Sequence, residues 1–194
     1  MREQILNKYN QFLEKFPQEW EDISGLAYTP LRYFYLADVQ IKGFSVALDR
    51  EFEEFHKPQP IDYSEQCYSY CYGFYALIRT CLEVSSKFSN KFQERSFSAD
   101  LENYRNLAED KIKEIINIAN NCIKHPAGNK DKVTWYEPGG LDSDGKLSIN
   151  EWSTTEREHF AILTVSPVQD LNTVFGHLER LAELYTKQLA IPHL

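Results

Sequence analysis

No stretch of this 194-residue chain approaches the roughly eighteen apolar residues in a row that a membrane span needs, and its first residues carry no apolar leader segment. A membrane partner is therefore not expected. No run of Lys and Arg reaches the density of a phosphate-binding stripe. The net charge of −8 weakly repels nucleic acid, so nucleic acid is not an expected partner either. The four cysteines, Cys67, Cys71, Cys81 and Cys122, lack the C-x-x-C pairs of a zinc knuckle. They read as free thiols in a reducing, cytoplasmic compartment. There is no glycine-rich phosphate loop, no nucleophile elbow and no His-Glu-x-x-His pair; His159 and His177 each stand alone. No cofactor and no metal are expected. Internal repeats and low-complexity tracts are also missing.

What the chain does have is aromatic weight: 12 Tyr, 12 Phe and 3 Trp. Such a composition argues for a packed core rather than disorder, with many hydroxyls that need partners. Apolar residues recur at helical spacing in most of it. Ile5, Tyr9, Phe12, Leu13 and Phe16 predict a helix over about 2–16, ended by Pro17. Residues 17–29, with Gly25, read as a connector. A second helix is predicted over about 30–55, with Pro30 in its first turn, where a missing N–H costs nothing. Leu31, Phe34, Tyr35, Ile41, Leu48, Phe52 and Phe55 form its stripe, and Gly43 weakens its middle. A third runs over about 63–88, followed by a polar loop from Ser89 to Ser98. A fourth, over about 99–124, has the cleanest stripe, and Pro126 ends it sharply. A fifth spans 167–189. Between the last two, residues 133–165 read as a hairpin and a further short strand, with Gly139, Gly140, Asp144 and Gly145 in the connecting loop. The expectation is one mainly α domain: an antiparallel bundle of about five helices with a small β insertion. The third and fourth helices are placed at its centre, burying Phe74, Ile78, Leu82, Leu107, Ile112, Ile115 and Ala119.

Three clusters carry chemical potential. Asn121 and His125 are one helical turn apart at the end of the fourth helix, with Asn120 and Lys124 beside them. An imidazole moves protons near neutral pH, and amides position a phosphate or hydroxyl. The same residue types also terminate helices by bonding the last free carbonyls. Arg79 and Glu83 are likewise i and i+4, in a stretch of the third helix otherwise without charge. They read as a polar pair that either is buried and fully bonded, with the 120–125 helix end across the bundle as a partner, or fixes helix register at the surface. Finally, Asp142, Asp144 and Glu151 imitate part of a calcium loop. With Gly145 at the sixth position the first falls on Gly140, which has no carboxylate, and neither flank is a helix. A turn explains these residues without a cation.

The stretches Tyr72–Glu83 and Ile118–Gly128, the second with its Asn-Asn-Cys-Ile-Lys-His order, resemble the HEPN-like helical domains of prokaryotes over about 62–190. The resemblance implies a small bundle that pairs as a two-fold dimer and is found near toxin, restriction or phage-defence genes. Active members place an arginine, then a polar residue, then a histidine a little over one turn beyond. Here the histidine is His125, and the arginine position falls on Ile118, Ala119 or Asn120. An asparagine cannot bring charge to a scissile phosphate. The expected function is thus non-catalytic, through a homodimer or another protein partner. The alternative is a metal-independent ribonuclease using His125, with Asn120 and Asn121 positioning and Lys124 or Arg79 as the cation.

Overall fold

The computed structural model describes residues 2–58, 61–95, 109–120, 134–153 and 161–190. Among these residues it is mainly helical, with one three-stranded antiparallel sheet. The helices are α1 (Arg2–Glu14), α2 (Glu21–Glu54), α3 (Ser64–Arg95), α4 (Glu109–Asn117) and α5 (Pro167–Leu189). A single 3-10 turn, Gln18–Trp20, joins α1 to α2. The strands are β1 (Thr134–Leu141), β2 (Leu147–Ser153) and β3 (Ala161–Val165), in the order β1-β2-β3.

The fifth predicted helix matches α5 at both ends, because Pro167 fits a first helical turn. The start of α2 corrects the sequence reading. The expected connector over 17–29 is largely helix, and Pro30 lies inside α2 rather than at its start. The reason is the buried stripe: Ile23, Ala27, Leu31, Phe34, Ala37, Ile41, Phe44 and Ala47 continue one face through the proline. An interior proline costs about 3 kcal/mol, and burial of that stripe outweighs it. The Thr29 hydroxyl donates to the Gly25 carbonyl at 2.6 Å in the same loosened turn. Phe52 and Phe55, expected on the buried face, are exposed. The third helix also runs past its expected end at 88. Ser89 and Phe92 are buried, so the first part of the predicted polar loop is a helical face. Of the predicted central residues, Phe74, Ile78, Leu82, Ile112, Ile115 and Ala119 are buried. Leu107 and residues 99–108 lie outside the described residues.

Among the described residues the most extensive packing joins α2 to α3, which run antiparallel: Gln40 meets Gly73, Gly43 meets Tyr70, and Asp22 pairs with Arg95 at 2.8 Å. Gly43 does not break α2. It admits the Tyr70 ring, whose nearest atom would lie 2.4 Å from a Cβ at that position. At the other side, α1 and α5 close an aromatic core. Phe12 meets Tyr185 at 5.4 Å between ring centres, and Tyr185 meets Phe88 and Phe92 at 4.8 Å each. The Trp20 ring caps this cluster beneath the Arg95 guanidinium, 5.9 Å away.

The sheet sits on the α2–α3 pair. Tyr68 of α3 donates its hydroxyl to the carbonyls of Gly140, at 2.8 Å, and Ser148, at 3.3 Å. Leu147, Ile149 and Val165 are buried. Gly139 and Gly140, expected in a loop, belong to β1, with a bulge between Pro138 and Gly140. Pro138 is tolerated because β1 is an edge strand. The turn itself is short and is tied by Asp142, whose carboxylate accepts the backbone N–H of Asp144 and of Lys146, each at 2.9 Å. At its tip Gly145 has φ +74°, and a Cβ there would stand 3.0 Å from Leu48 of α2. Gly145→Ala meets both a left-handed backbone and this contact. It should lower stability by about 1–2 kcal/mol in chemical denaturation. A change below about 0.3 kcal/mol would mean that the hairpin tip does not rest on α2.

Candidate functional site

The polar pair of the third helix is present. Arg79 Nη2 stands 3.5 Å from Glu83 Oε2, and Glu83 Oε1 stands 3.3 Å from Lys87 Nζ. The Glu83 and Lys87 side chains are 46% and 65% exposed, so the row Arg79–Glu83–Lys87 is a surface feature that fixes α3 and contributes little to stability. Of the two readings of this pair, the structure shows the surface one.

Arg79 does more than pair along its own helix. Its Nε–H donates to Asn120 Oδ1, joining α3 to the end of α4. Asn120 lies in residues 118–120, which wind as a π-turn after α4. A π-turn widens the helix by one residue per hydrogen bond and turns a side chain away from the regular stripe. Here it leaves Ala119 buried and Asn120 at the α3 contact. The structure therefore brings together Arg79, Glu83 and Asn120. Asn121, Lys124 and His125 lie outside the described residues.

The three described cysteines are free and buried. Burial pushes the Cys67 thiol up to about 11 and the Cys81 thiol to about 12, and it raises Cys71 further. Thiolate is the nucleophilic and metal-binding form, so these positions are suited to packing. Among the described residues no group of three His, Cys, Asp or Glu side chains gathers around a common point. Of the calcium look-alike, Asp142 spends its carboxylate on the turn, and Asp144 faces Lys146 at 3.7 Å. Glu151 is mid-strand, paired in register with Tyr136 and Ala161. The arrangement is that of a hairpin turn. No described helix is long and apolar enough to cross a membrane.

Two further features escaped the sequence reading. One is the outer face of α2. Tyr28 is 48% exposed, Leu36 45%, Val39 57% and Val46 52%, and all four lie on one side of the helix. Beside them a groove of ≈ 390 Å³ runs between α2 and α3, floored by Gly43 and Tyr70 and flanked by Lys42 and Arg50. Its signal was in the sequence: Leu36, Val39, Gly43 and Val46 repeat at three and four residues, opposite the buried stripe. The other is a cleft of ≈ 130 Å³ among α3, α4 and α5. His177 lines it, held neutral by burial, which pushes its imidazole down to about 4. Its signal was Ser85 and Ser89, two hydroxyls at stripe positions between Leu82 and Phe92.

No family model, curated protein or solved structure matches this chain.

Proposed function

We propose that this chain is a non-catalytic, HEPN-like helical protein that works by association, pairing with a second copy of itself through the outer face of α2. The observation that carries the reading is the exposed row Tyr28, Leu36, Val39 and Val46. Contiguous apolar surface of this kind marks interaction sites. The centre of the row is self-complementary. A two-fold axis crossing α2 between Lys42 and Gly43 sets Val39 opposite Val46 and Arg32 opposite Glu53. Two such helices meet as equal patches in an isologous interface. Arg32, Lys42 and Arg50 share this side of α2 with Asp49 and Glu53, so charges of both signs flank the apolar row. A toxin or phage-defence setting is what the resemblance of Tyr72–Glu83 and Ile118–Gly128 adds to this reading.

The Arg79–Asn120 bond favours a second reading. It puts a cation beside the helix end where the sequence has asparagine in place of arginine. In this reading Arg79 supplies the charge, His125 carries the proton, and Asn121 and Lys124 position the RNA of a metal-independent ribonuclease.

One preparation tests both. Sedimentation equilibrium at high micromolar concentration should give a dimer, and Val39→Asp with Val46→Asp should give a folded monomer. A wild-type monomer at every concentration sinks the association reading. The same protein is then incubated with RNA in chelator. Cleavage that disappears in both Arg79→Ala and His125→Ala would place the ribonuclease first.

A further inference from the structure

The groove between α2 and α3 joins an apolar lining to a set of hydrogen-bond donors. Val39, Val46 and Ala47 of α2 form its wall, and the Tyr70 ring of α3 lies over Gly43 as its floor. Lys42 and Arg50 stand on its α2 rim, and Gln66 joins Tyr70 on the α3 side. No carboxylate is among these lining residues; Asp49 and Glu53 share the side of α2 but stay outside the groove. The two cations are the informative residues. Elsewhere surface cations sit against carboxylates, as Lys91 does on Glu94 at 2.8 Å and Arg180 on Glu183 at 3.2 Å. Among the described residues nothing pairs with the Lys42 ammonium, the Arg50 guanidinium or the Tyr70 hydroxyl. Two unanswered positive charges beside one apolar groove, in a chain of net charge −8, make a local field that attracts an anion.

We propose that this groove binds a small organic carboxylate with a linear apolar body, the carboxylate held by Arg50 and Lys42 and the body laid along Val46, Val39 and the Tyr70 ring. The volume of ≈ 390 Å³ falls within the range of about 300–1,000 Å³ usual for ligand sites. Residues 39 to 50 extend about 16 Å along α2 at about 1.5 Å per residue, so the groove suits a chain better than a compact ring. The guanidinium fork matches a carboxylate in two parallel bonds. A purely apolar guest would leave both cations unanswered, and an inorganic anion would leave the valines facing water. An anionic amphiphile answers both. Two cations fall far short of the stripe that tracks a nucleic-acid backbone. The site shares Val39 and Val46 with the face assigned to pairing, so ligand and second copy compete for them. The inference goes beyond the association reading and does not rest on it: a chain that never pairs still presents this groove.

Octanoate is the probe, with the neutral 1-octanol as its control, followed by ligand-observed NMR on dilute protein. Binding is read on the ligand itself, so the result stands apart from whether the chain pairs. Octanoate should bind saturably, one per chain, and 1-octanol more weakly by about 5- to 10-fold, the loss of the charged contacts. Lys42→Gln and Arg50→Gln should each weaken octanoate by about 2- to 5-fold, as solvent-exposed charges do. The double variant should bind the two probes equally. Val46→Asp, which sets a carboxylate on the groove wall, should abolish octanoate binding. All three positions are exposed, so these variants should keep the wild-type melting temperature. Absence of saturable octanoate binding to the wild type overturns the proposal. So does equal binding of the two probes, an octanoate preference that survives the double variant, or binding untouched by Val46→Asp.

Discussion

Replacement of Phe12 by alanine should destabilise the protein by about 3–5 kcal/mol, the cost of emptying a large buried aromatic site. Phe12 is 0% exposed. Its ring meets Phe16 on its own helix, Phe88 and Phe92 on α3, and Tyr185 on α5, at centre distances of 5.4, 6.0, 6.4 and 5.4 Å. The contacts with Phe16 and Phe88 are edge-to-face and add to the burial. The ion pairs between α1 and α5 are weak by comparison. Lys8 reaches Glu179 and Glu183 at 3.1 Å each, but its side chain is 39% exposed and solvent screens the pairs. Removing Phe12 therefore removes the ring at the centre of the α1 contact, beside the buried Tyr9. Urea denaturation reads the effect as a lower midpoint. If α1 also detaches before the main transition, the slope falls as well, since less surface remains to be exposed. A loss below about 1 kcal/mol would show that α1 is not held in this cluster.

The same residue shows what was legible in advance. Tyr9, Phe12 and Phe16 repeat at helical spacing, so α1 and its buried side followed from pattern alone. Their partners Phe88, Phe92 and Tyr185 did not, because ring contacts between helices leave no trace at short range. The start of α2 was misread for a local reason. Proline is a strong stop signal on its own, and only the buried face running from Ile23 to Ala47 shows that packing overrules it here. The polar cluster divides the same way. Arg79 and Glu83 were one turn apart and predictable as a pair. Pairing with the 120–125 helix end was one of the open alternatives, and that Arg79 meets Asn120 there depends on how α4 lies against α3 and on a π-turn, neither of which the spacing encodes.

The second large effect is acid sensitivity at His177. Burial lowers its pKa from the usual 6.5 to about 4. In the unfolded chain the imidazole takes a proton as the pH falls through about 6.5, whereas the folded protein refuses it until about 4. The unfolded state thus binds more protons across that window, and stability falls with falling pH. At about 1.4 kcal/mol per unit of pKa, reduced because the side chain is only partly buried, the loss is on the order of 2–3 kcal/mol. Above pH 6.5 this penalty is absent; below 4 it is complete. Asp170 works against it. Its carboxyl accepts from the Tyr75 hydroxyl, but burial raises its pKa above the ordinary 3.8. A carboxyl that holds its proton more tightly when folded gains stability as the pH falls toward that range. The net acid profile of the wild type therefore mixes opposite slopes, and only a difference isolates His177. Denaturation of the wild type and of His177→Gln at pH 7.5 and pH 4.5 supplies it. The variant should lose about 2 kcal/mol less than the wild type between the two conditions. Parallel losses in the two proteins would mean that His177 takes its proton in the folded state, and that the cleft beside Ser85 is open to water.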